Sequence, residues 1–136
     1  MTHKDKELLI KDLCARLPYE VKVEITHWRN RDKGMIDISR FRVPLNINNA
    51  SVIFNPTADV RPYLYPLSSI TPEQEKELSE LGVSYGEYAI HDDIRGLGIM
   101  VEDAYIFFEF CYKHHIDFLG LIPKGLALDA TNLNIY

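Results

Sequence analysis

"YEVKVEITHWRNRDKGMIDISRFRVPLNI", residues 19–47, decides the fold class. Tyr19, Val21, Val23 and Ile25 alternate with Glu20, Lys22, Glu24 and Thr26. Successive strand side chains point to opposite faces, so this run reads as a half-buried strand with one solvated face. Arg29, Asn30, Arg31, Asp32 and Lys33 then run polar to Gly34, which can take the positive φ of a tight turn. A second period-two run takes in Ile36 and Ile38 and extends through Phe41, Val43, Leu45 and Ile47. Pro44 interrupts it, and a residue without an N–H marks an edge strand or a break. An antiparallel pair of strands is therefore expected near the start of the chain.

The flanking segments supply helices. Residues 4–17 are amphipathic, with Leu9, Leu13 and Leu17 four apart and Ile10 and Cys14 widening the stripe; Pro18 stops the helix. In "TPEQEKELSELG", residues 71–82, Thr71 caps, Pro72 takes the first helical position and Gln74 completes a capping box. Leu78 and Leu81 form its buried stripe, and Gly82 ends it. Residues 103–115 are apolar around most of the circumference, which predicts a central helix. Glu109 and Lys113 stand four apart in the favourable order, and Lys113, His114 and His115 suit the negative helix end.

Other stretches read less sharply. Ser51 to Phe54 is a short apolar strand candidate before the Asn55-Pro56 loop. In "DVRPYLYPLSS", residues 59–69, Pro62 and Pro66 hold the chain extended, while Tyr63, Leu64, Tyr65 and Leu67 are too apolar for a free linker. Ordered coil across the core is expected there. "VSYGEYAIHDDIRGLGIMV", residues 83–101, has no clear period, and Gly96 and Gly98 lack the third glycine of a dinucleotide fingerprint. The Leu-rich tail from Phe118 to Leu128 is expected to fold back on the core, with Gly120 and Gly125 permitting turns. These elements predict one α+β domain over residues 1–136. A small antiparallel sheet of about three to five strands packs against the N-terminal amphipathic helix and a buried C-terminal helix.

Composition bounds the function. The 136 residues can bury a real core, and 46% apolar with 26% charged is the balance of a soluble globular domain. No run approaches the roughly 18 apolar residues of a membrane span. The charged N-terminus lacks the apolar core of a signal peptide, so a cytoplasmic location is expected. Cys14 and Cys111 have no Cys-x-x-Cys spacing and read as buried free thiols. A net charge of −5 argues against nucleic acid as the main partner. Yet Lys22, Arg29, Arg31, Lys33, Arg40 and Arg42 crowd the first third, and the chain is strongly acidic from Glu73 onward. Two faces of opposite sign could dock a partner.

Candidate chemistry is sparse. Trp28, Arg29, Arg31 and Lys33 form the best binding-surface candidate, an aromatic among guanidinium groups at a hairpin tip. The plainer alternative is a solvated turn. His114, His115 and Asp117 carry metal-ligand chemistry, and His91, Asp92 and Asp93 could join them in a hydrolytic site. Adjacent helical histidines, however, point about 100° apart, and no pair has the four-residue spacing that chelates from one helix face. The plainer alternative has one histidine on the last carbonyls, the other packed on the core, and Asp117 folded back on backbone N–H groups. No serine elbow, Ser-x-x-Lys, phosphate loop or EF-hand occurs, and no cofactor is implied. The leading expectation is a non-enzymatic interaction protein, acting on a protein partner or by self-association. A metal-assisted hydrolase and a nucleic-acid binder using the basic hairpin are the alternatives.

Two stretches together resemble a known family. They are "PYLYPLSS" at 62–69 with the Thr71 helix start, and "HHIDFLGLIPKGLALDA" at 114–130. The chain resembles small proteins of gut Bacteroidales genomes, including prophage and mobile-element regions, which carry PYLxPLSS and HHxDxxGLIxxGLAL motifs. The matching positions, among them His114, His115, Asp117 and Gly125 to Ala130, cover about a third of the chain. The resemblance carries no activity, ligand or catalytic residue. It implies a small accessory protein of bacterial or phage origin.

Overall fold

The computed structural model describes residues 2–29, 37–82 and 101–136; at 28, 29, 37, 38 and 101–104 it describes the backbone alone. Helix α1 (His3–Arg16) begins with a capping box: the Thr2 hydroxyl accepts from the Asp5 N–H at 3.0 Å, and Asp5 accepts from the Thr2 N–H. Pro18 falls within a 3-10 turn, Leu17–Tyr19, and Glu20 leaves it with a φ of 53°. The chain then enters strand β1 (Lys22–Arg29), which pairs antiparallel with β2 (Asp37–Pro44) from Lys22↔Pro44 to Arg29↔Asp37. Pro44 is the last residue of an outer strand, where a missing N–H is tolerated.

Two expectations change at the next segments. Ser51 to Phe54 is not a strand; it lies within a 3-10 helix, Ala50–Phe54, that buries Ile53. The proline-punctuated segment is not coil. It forms β3 (Ala58–Pro66), whose residues 58–62 pair antiparallel with β1. Alternation explains how the prolines fit. Tyr65 donates its N–H to the His115 carbonyl at 2.8 Å, so the peptide of Pro66 faces the opposite edge. The Tyr63 carbonyl reaches Lys22 through the Tyr136 hydroxyl, so the peptide of Pro62 faces away from β1. Neither missing donor falls on the edge that β1 and β4 bond; both face the edge where the Leu64 carbonyl accepts from Ala130.

Helix α2 (Pro72–Glu80) carries the expected capping box, with Thr71 and Gln74 bonded both ways at 3.2 and 3.0 Å. Leu78 is fully buried and Leu81 is exposed, so the stripe is narrower than expected. Helix α3 (Val101–Lys113) is followed by β4 (Ile116–Asp117) and, after the tail has turned, by β5 (Leu128–Asp129). Both short strands pair parallel with β3. The α+β class stands, and the sheet is mixed rather than purely antiparallel because these two tail strands join it in the other sense.

The core has two main parts. In one, Leu9 and Leu13 of α1 pack on Val21, Val23, Ile25, Val60 and Leu64, with Leu121, Leu126 and Ala127 of the tail. In the other, Leu78 of α2 meets Phe107, Phe110 and Cys111 of α3, with Ile116 and Phe118. Leu119 touches both. The α3 helix is thus buried on one stripe only, and Tyr105 is 70% exposed. Gly120 and Gly125, at φ of 72° and 75°, make the tail's turns as the sequence predicts. Of the two thiols, Cys111 is buried, but Cys14 is exposed because the buried face of α1 runs through Leu9, Asp12, Leu13 and Arg16.

Candidate functional site

The sequence candidates divide by where they fall. Trp28 and Arg29 close β1, opposite Ile38 and Asp37, with their side chains outside the described residues. Arg31, Lys33, His91, Asp92 and Asp93 also lie outside the described residues. His114, His115 and Asp117 are described, and each has separate partners. His114 Nε2 lies 2.9 Å from Glu77 of α2, and its ring packs on Phe110. His115 takes a φ of 58° and stacks on Tyr136 at 3.7 Å between ring centres. Asp117 is buried and accepts from the N–H groups of Leu121 and Ile122 at 2.8 and 2.9 Å, shaping the tail turn. Among the described residues, no group of three or more His, Cys, Asp or Glu is placed to share a metal ion.

Helix-end chemistry also differs from expectation. Lys113 pairs with Glu77 at 3.1 Å instead of Glu109, and Glu109 accepts from the Tyr19 hydroxyl at 3.3 Å. Burial raises the Glu77 carboxyl, but its bonds to Lys113 and its attraction to His114 outweigh that and hold it below the usual range. Burial pushes the Cys111 thiol well above its ordinary value, which leaves it a poor nucleophile.

The outstanding surface lies on β2, β1 and β3. The register aligns Arg42 with Glu24 and Glu24 with Arg61, and Arg40 with Thr26 and Thr26 with Asp59. Period-two alternation puts these residues, with Lys22 and Tyr63, on one face. Glu24 takes Arg61 at 3.1 Å and lies 3.8 Å from Arg40, while the Arg42 guanidinium sits 4.8 Å over the Tyr63 ring. The Arg40 side chain is 54% exposed and Arg61 36%, but Glu24 only 16%. The carboxylate is sunk beneath the guanidinium groups it serves. The face therefore presents cations outward on a chain whose net charge is −5.

The opposite face of the same strands is apolar and hollow. Phe41 stacks on His27 with ring centres 5.5 Å apart. Beside them Ile25, Val43 and Val52 line a hollow of about 360 Å³ against the Ala50–Phe54 turn, rimmed by Asn49 and Asn55. The charge run was visible in the sequence, but Arg40, Arg42 and Arg61 could not be joined into one surface there. Their meeting depends on the β1–β3 register across a loop, and the alternation of Arg40 and Arg42 was the sole local sign.

A second feature the sequence reading missed is internal. The Arg16 guanidinium is fully buried, bonded to Asp12 at 2.8 Å and to the carbonyls of Ile116 at 2.7 Å and Cys111 at 3.4 Å. Tyr112 and Phe118 flank it at 5.3 and 5.9 Å. Burial raises the Asp12 carboxyl despite the opposing pull of Arg16. These groups are enclosed and hold α1 to the end of α3; they form no accessible site.

No protein-family model, curated protein or solved structure matches the chain. Among the described residues, no helix is long and apolar enough to cross a membrane.

Proposed function

We propose that this chain is a non-enzymatic interaction protein whose working surface is the β2 side of the sheet, and that it recognises an anionic protein partner. One observation carries the reading: Arg40 and Arg61 share the sunken carboxylate of Glu24 and keep their own side chains 54% and 36% exposed toward solvent. Arginine presents a planar fork of donors that matches carboxylates. Held by cross-strand neighbours, such groups lose less side-chain freedom on binding than flexible lysines do. The basic run from Trp28 to Lys33 joins the two strands in sequence and belongs to the same proposal. So does the accessory role, in a bacterium or phage, implied by the family resemblance. A protein partner fits better than nucleic acid, because Glu24 and Asp59 interrupt the cationic face that a continuous run of phosphates would need.

The test uses two labelled probes, polyglutamate and a single-stranded oligonucleotide, with binding followed by fluorescence anisotropy as salt is raised. Polyglutamate should bind at low salt and release as salt screens the contacts. Arg40→Gln combined with Arg42→Gln should weaken it at least about tenfold while thermal melting stays near that of the parent chain. Absence of polyglutamate binding, or binding indifferent to the double substitution, overturns the proposal. Preferential, salt-sensitive capture of the oligonucleotide overturns it in favour of nucleic acid.

A further inference from the structure

The backbone of β2 adds a second kind of complementarity to its side chains. Leu45 donates its N–H to the Val21 carbonyl at 2.8 Å, so its peptide faces β1. Stepping back by twos along the strand, the peptides of Val43 and Phe41 face β1 as well, opposite Val23 and Ile25. The N–H and C=O groups of Arg40 and Arg42 therefore point outward. Among the described residues no strand pairs with that edge. Pro44 has no N–H and closes one end of the row. That edge is flanked by arginines on one face and, on the other, by Phe41 and the hollow that Ile25, Val43 and Val52 line together with Asn49, Ser51 and Asn55.

We infer that an extended segment of the partner adds to the sheet alongside β2, alternating acidic side chains over Arg40 and Arg42 with apolar side chains over Phe41 and the hollow beside it. This rests on the anionic-partner reading above and specifies its form. Strand addition draws affinity from main-chain bonds and selectivity from alternate side chains. Directly opposed residues on paired strands stand about 5 Å apart, within reach for carboxylate and guanidinium. A second copy of this chain is a poor occupant. Antiparallel self-pairings centred on Arg40, Phe41 or Arg42 each set an arginine against an arginine, and like charges in opposition destabilise a sheet. Nucleic acid offers no backbone that repeats with the donor and acceptor spacing of a strand.

Two blocked peptides test this: one alternating glutamate with valine and threonine, the other of the same composition in scrambled order. The alternating peptide should bind at least about tenfold more tightly. At saturation the amide exchange of Arg40 and Arg42 should slow, while that of Phe41 and Val43, already bonded to β1, should hold steady. Equal affinities, or unchanged exchange at Arg40 and Arg42 under saturating peptide, overturn strand addition and leave the anionic-partner reading standing. Failure of both peptides to bind overturns the two together. Slowed exchange at those amides that depends on the concentration of the chain alone places a second copy there and also overturns the inference.

Discussion

Arg16 shows how much one residue organises. Its charge is wholly removed from water, and its stability depends on Asp12 one helical turn away and on the carbonyls of Cys111 in α3 and Ile116 in β4. Breaking a buried pair leaves an uncompensated charge, whereas replacing both members by apolar groups of similar size is close to neutral. Arg16→Met should therefore lower the unfolding free energy by about 3 to 5 kcal/mol in denaturant titration. Asp12→Leu combined with Arg16→Met should recover most of that loss. A single substitution no more damaging than the double would show that Asp12 and Arg16 are not coupled. The same logic separates this pair from Arg40 and Arg61, whose own side chains stay in contact with solvent, so that adding an incoming carboxylate carries little desolvation penalty.

At the scale of elements, the end of α3 and the last residues of the chain close the structure together. The Tyr136 hydroxyl accepts from the Lys22 N–H and donates to the Tyr63 carbonyl, both at 2.8 Å, bridging β1 and β3 where they part. Its ring covers His115. Burial, aided by the positive charges of Arg16, His114 and Lys22, lowers His115 from its ordinary 6.5 to about 4. Between those values the unfolded chain binds a proton that the folded chain refuses. This contribution to stability is complete above the ordinary value and is lost as pH falls toward about 4. Glu77 acts in the same direction, but below its ordinary 4.5. His115→Asn, which suits the left-handed backbone there, should flatten the fall in melting temperature between neutral pH and about 4. An unchanged slope in that variant would contradict the assignment. Elements were legible in the sequence where their signals are local. The α2 capping box lies within four residues, and the β1 alternation needs no partner to be seen. The β3 strand was hidden because its prolines are tolerated only when their missing N–H groups face away from β1 and β4, an orientation set by the pairing. The tail strands β4 and β5, two residues each, carry too short a pattern to register.

For the whole molecule, the α+β class followed from periodicity, but the packing of α3 and the surface did not. Lys22, Arg40 and Arg42 were visible as a cluster of charge, while Arg61, some twenty residues farther along, joins them only through the fold. Likewise Arg16 meets its carbonyl partners 95 and 100 residues away, a contact that no local spacing announces. What the fold assembles is an acidic chain with a cationic sheet face and, among the described residues, an unpaired strand edge beside it. The most direct test of that arrangement is residue-resolved amide hydrogen exchange on the free chain. The outward N–H groups of Arg40 and Arg42 should exchange rapidly while those of Phe41 and Val43 are protected by β1. Protection of Arg40 and Arg42 equal to that of their neighbours would mean the edge is already occupied, and would contradict the account.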